Sequence, residues 1–132
     1  FNQKLENLPN NLKKLTLGYH FNQKLENLPN NLKSLTLGFS FNQKLENLPN
    51  SLQSLTLGWI FNQKLNVCLA LPKLQILKIN NNYKGNLPMI FGTTIKIWSQ
   101  GENEKEIINE AKKNYDFNEW KNIFYKSIND LL

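Results

Sequence analysis

Few side chains in this sequence carry the chemistry of a reacting group. His20 is the single histidine and Cys68 the single cysteine. A thiol beside an imidazole would make a nucleophile and its base. These two fall in different repeats of the chain, which keeps them apart. No cluster has metal-ligand spacing, and neither a glycine-rich phosphate loop nor a G-x-S-x-G turn occurs. Glu6, Glu26 and Glu46 recur at one place in each repeat. They would form a column of like charges, solvated and relieved by neighbouring lysines, not an acid and its base. The sequence therefore predicts a protein that is not an enzyme, with no cofactor and no metal. One cysteine cannot close an internal disulfide, which favours a reducing, cytoplasmic compartment.

The elements that would position any functional group are set by a repeat. Phe1, Phe21, Phe41 and Phe61 each open an F-N-Q-K-L block, a period of 20 residues. Leu8-Pro9, Leu28-Pro29 and Leu48-Pro49 follow in phase, and L-x-x-L-x-L-G ends at Gly18, Gly38 and Gly58. Self-similarity at this period predicts a stacked solenoid. Each unit holds six large apolar side chains (Phe1, Leu5, Leu8, Leu12, Leu15 and Leu17 in the first), and is too small to enclose them alone. Stacking buries them against the units above and below. The spacing Leu12-x-x-Leu15-x-Leu17 fits the strand of a leucine-rich repeat, with Leu15 and Leu17 inward and Thr16 outward. Strands of successive coils would lie about 4.8 Å apart in a parallel sheet.

The chain divides into coils 1–20, 21–40, 41–60, 61–82 and 83–100. The fold class is α/β: a leucine-rich-repeat-like solenoid with about five parallel strands and a C-terminal helical cap at 101–132. Leu-Pro shapes the convex return, where proline donates no ladder hydrogen bond. The glycines allow a turn or a close backbone approach. The fourth coil is altered after Leu65, Leu71-Pro72 resets the phase, and Leu74 to Ile79 carries the strand pattern. Tyr83 takes the phenylalanine position, Leu87-Pro88 opens a shortened coil, and Thr93 to Trp98 reads as the last strand. From Gly101 the pattern turns helical: Glu104 to Asn114 forms one helix, and Asp116 caps a second that carries Trp120, Ile123, Phe124, Ile128 and Leu131. These helices would cover the last coil, or offer an amphipathic face to a partner or a membrane surface.

Phe21, Phe41 and Phe61 are read as structural, as are Asn22, Asn42 and Asn62, whose amides can satisfy backbone groups where each coil turns. The first three copies differ at Asn11/Asn31/Ser51, Lys13/Lys33/Gln53, Lys14/Ser34/Ser54, Tyr19/Phe39/Trp59 and His20/Ser40/Ile60. The inward leucines are the same in all three. The differences lie on or beside the outward, concave face, where repeat solenoids bind partners. Candidate partner-binding residues are Lys14, Thr16, Tyr19, Ser34, Thr36, Phe39, Ser54, Thr56, Trp59 and Lys78. The aromatic column Tyr19, Phe39, Trp59 has two readings: an anchor for a partner, or rings stacked on one another from coil to coil.

These residues also carry a resemblance. F-N-Q-K-L…L-P-N-N-L-x-x-L-T-L-G is similar to the FNIP repeat, a leucine-rich-repeat relative of social amoebae and of giant viruses that infect amoebae. It covers residues 1 to about 65 closely and 66 to 100 loosely. Lys4, Lys24, Lys44 and Lys64 depart from it, since the family often has Pro or Ile after F-N-x. The resemblance implies a protein-binding module. In the viral proteins it often accompanies an N-terminal F-box that recruits a ubiquitin-ligase core, which would place this chain in the host cytoplasm. Because the chain opens inside the repeat pattern, an N-terminal part is expected upstream.

Charge bears on the partner. Residues 1–100 hold 11 Lys against 3 Glu, a surplus of +8, and residues 101–132 hold 5 Lys against 7 acidic groups, a deficit of −2. A basic solenoid could attract RNA or an anionic surface, which is the alternative function. The chain has no arginine, the usual reader of phosphates and guanine edges. The expected partner is therefore another protein. No run of 18 apolar residues occurs, so no membrane span is expected.

Overall fold

A computed structural model describes residues 2–85, 93–98 and 105–107. Five short strands stack side by side in chain order: β1 Lys14–Thr16, β2 Ser34–Thr36, β3 Ser54–Thr56, β4 Ile76–Asn80 and β5 Thr94–Trp98. All four pairings among them are parallel and in repeat register, Leu15 opposite Leu35, Leu35 opposite Leu55, Leu55 opposite Leu77, and Leu77 opposite Ile95. The N–H groups of Leu17, Leu37 and Leu57 donate to the next coil's Thr36, Thr56 and Lys78 carbonyls, each at 2.9 Å. Ser34, Ser54 and Ile76 donate back to Lys13, Lys33 and Gln53 at 3.0–3.1 Å. The stack is thus held by backbone bonds between coils, as a solenoid requires.

The core is a set of columns. Leu35, Leu55, Leu77 and Ile95 are fully buried beneath the sheet, and Leu37, Leu57 and Ile79 form the next column. Leu5, Leu25, Leu45 and Leu65 return on the far side. Phe21, Phe41 and Phe61 fill the space after each strand, their rings parallel within 4° at 6.2 Å spacing. Tyr83 continues that stack at 6.2 Å and 16° from Phe61. Burying one leucine or phenylalanine stabilises by roughly 1.5–3 kcal/mol, and no coil could gain it without a neighbour.

Two features of each turn are local. The carbonyls of Pro9, Pro29 and Pro49 accept from the N–H of Leu12, Leu32 and Leu52 at 3.1–3.2 Å, closing the bend that leads into the strand. Asn7, Asn27 and Asn47 all take φ 57, the left-handed region that asparagine tolerates better than most residues. The sequence reading did not single out these asparagines.

The C-terminal side differs from the expectation. Lys105–Ile107 is a sixth strand, β6, pairing antiparallel with β5 so that Ile107 lies opposite Ile95 and Glu106 opposite Lys96. It is not the opening of a helix over 104–114. The open edge of β5 explains the difference: its unpaired N–H and C=O groups are a template for a strand, and pairing them outweighs the local helical spacing. The remaining cap helices and Leu87-Pro88 lie outside the described residues. No α-helix occurs among the described residues. The altered fourth coil holds a 3-10 turn, Asn66–Ala70, in place of the extended return of earlier coils.

Candidate interaction surface

The register places the outward strand residues in two columns. Lys14, Ser34 and Ser54 form one, continued by Ile76 and Thr94; Thr16, Thr36, Thr56 and Lys78 form the other, continued by Lys96. Lys14 and Thr16 are exposed, while Ser34, Thr36, Ser54, Thr56 and Lys78 are half-buried by their neighbours in the sheet. The face is polar, with hydroxyls over the middle coils and ammonium groups toward both ends.

The aromatic column sits after the glycine turn. Tyr19 and Phe39 stack face to face, centroids 4.7 Å apart and planes within 4°. Tyr19 is 58% exposed, so one face of the pair remains open to solvent. Phe39 and Trp59 are half-buried, and Ile60 beside them is exposed. The coils are joined here by Ser40 and Ile60 N–H donating to the Tyr19 and Phe39 carbonyls. What allows such close layering is the glycine column: a Cβ on Gly58 would lie 2.6 Å from the Gly38 carbonyl carbon, and one on Gly38 the same distance from that of Gly18. In the fourth coil Asn80 takes the glycine's place and donates from Nδ2 to the Gly58 carbonyl at 2.7 Å.

A second ladder runs along the return segment. Asn2, Asn22 and Asn42 each accept, through Oδ1, the backbone N–H of the asparagine one coil on, at 2.8–2.9 Å. Asn62 accepts from the Lys84 N–H at 3.1 Å. Gln23, Gln43 and Gln63 form a parallel rail, each Nε2 donating to the previous coil's asparagine. Tyr83 ends the rail by donating to the Gln63 carbonyl at 2.8 Å. The glutamines recur in phase in F-N-Q, a signal as legible as the asparagines, yet their role was not expected.

The residues weighed for chemistry stay apart. His20 is exposed and lies edge-on to Tyr19 at 4.9 Å. Cys68 is fully buried, and burial pushes its thiol up to about 12, so it is protonated and inert at neutral pH. Glu26 and Glu46 both reach Lys24, at 3.9 and 3.6 Å. Among the described residues no group of acidic, histidine or cysteine side chains could hold a metal, and no helix is long and apolar enough to cross a membrane.

This geometry has counterparts among known proteins. The model of the FNIP repeat family matches residues 1–40 and 41–82. The crystal structure of CroV588, a giant-virus protein described as a novel circular LRR protein, is similar over 78% of this chain, at 35% identity and a TM-score of 0.66. The chain spans 16% of the length of that protein. No curated protein matches. Repeat phase, parallel register and leucine-rich-repeat-like stacking agree with these matches, and the chain belongs to the FNIP repeat family.

Proposed function

We propose that the chain is a non-catalytic protein-binding module that grips its target on the outward face of the sheet and the adjoining aromatic column. The observation that carries this is the division within the repeat. Inward leucines and phenylalanines are the same in the first three coils, while Lys14/Ser34/Ser54 and Tyr19/Phe39/Trp59 vary on one surface. The inward packing is the same whichever of them is in place, so these positions can vary to suit a partner. Tyr and Trp give much contact area for little lost rotamer freedom.

Membership of the family extends the proposal by analogy: the module holds the target of an F-box-type ubiquitin-ligase adaptor whose other parts lie elsewhere in the full-length protein. The complete reading frame tests this part, since an encoded F-box is expected and its absence would leave a plain scaffold.

The binding surface is tested with the double variant Phe39→Ala/Trp59→Ala. Partners captured by the unchanged protein are identified first, and the variant should retain them at about a tenth of the affinity or less, with its circular dichroism unchanged. Loss of the folded spectrum would show that the rings serve packing alone. Binding to RNA or an anionic surface is the competing reading, supported by the +8 surplus of residues 1–100. It would appear as capture that collapses as salt rises.

A further inference from the structure

We draw no further inference here: the strongest candidate, the surface patch at the turn after β3 that carries half-buried Trp59 and exposed Ile60, belongs to the interaction surface already described, and nothing in the structure shows which partner covers it.

Discussion

Single residues in this chain matter through what lies one coil away. The glycines after the strands make the point. A Cβ at Gly58 would collide with the backbone of Gly38. Gly58→Ala must push two coils apart and should cost on the order of 2–4 kcal/mol. Urea denaturation measures the loss, and an unchanged stability would contradict the layering. The sequence showed that a glycine was needed after each strand. It did not show that the need comes from the preceding coil's carbonyl and not from the glycine's own turn. The left-handed asparagines recur in phase as well, but the period shows only that a residue repeats, and a left-handed φ is a backbone property that the spacing does not report.

Elements here are columns more than strands, and the asparagine rail is the clearest. Asn42 Oδ1 receives two donors, Asn62 N–H at 2.9 Å and Gln63 Nε2 at 3.2 Å. Asn42→Ala would leave both without that acceptor. The expected loss is about 1–2 kcal/mol, with faster hydrogen exchange at the Asn62 amide than at the equivalent Asn42 amide, whose acceptor Asn22 remains. Unchanged exchange at Asn62 would show that water replaces the bond without cost. The phase of F-N-Q announced this rail in the sequence. The sixth strand was not announced, because Lys105–Ile107 lies in a stretch of sequence whose apolar spacing is helical, and its pairing depends on the edge that β5 exposes. Local spacing reports local preference, and an unpaired sheet edge is not a local property.

The molecule as a whole behaves as a line of coupled units, each stable only against its neighbours. Disruption of one interface should therefore spread unevenly. The Leu37 N–H bonds into the coil that carries Thr56, and the Leu57 N–H into the coil that carries Lys78. Gly58→Ala, which separates the second and third coils, should speed hydrogen exchange at Leu37 more than at Leu57, and an equal change at both would mean the stack opens as one block. The face proposed for binding also belongs to this scale, since it is built by stacking and does not exist within one coil.

What the sequence determined by itself was the repeat, its phase and its inward set. Twenty-residue units with six apolar side chains have one economical way to hide them, and the parallel register of leucine on leucine follows. What only the tertiary structure decided were contacts between residues of different coils. These are the face-to-face stacking of Tyr19 on Phe39, the double claim of Glu26 and Glu46 on Lys24, and the antiparallel strand that joins β5. Periodicity fixes which side chains share a column. The distances across that column, and the choice of partner when two are in reach, depend on how closely the backbones approach.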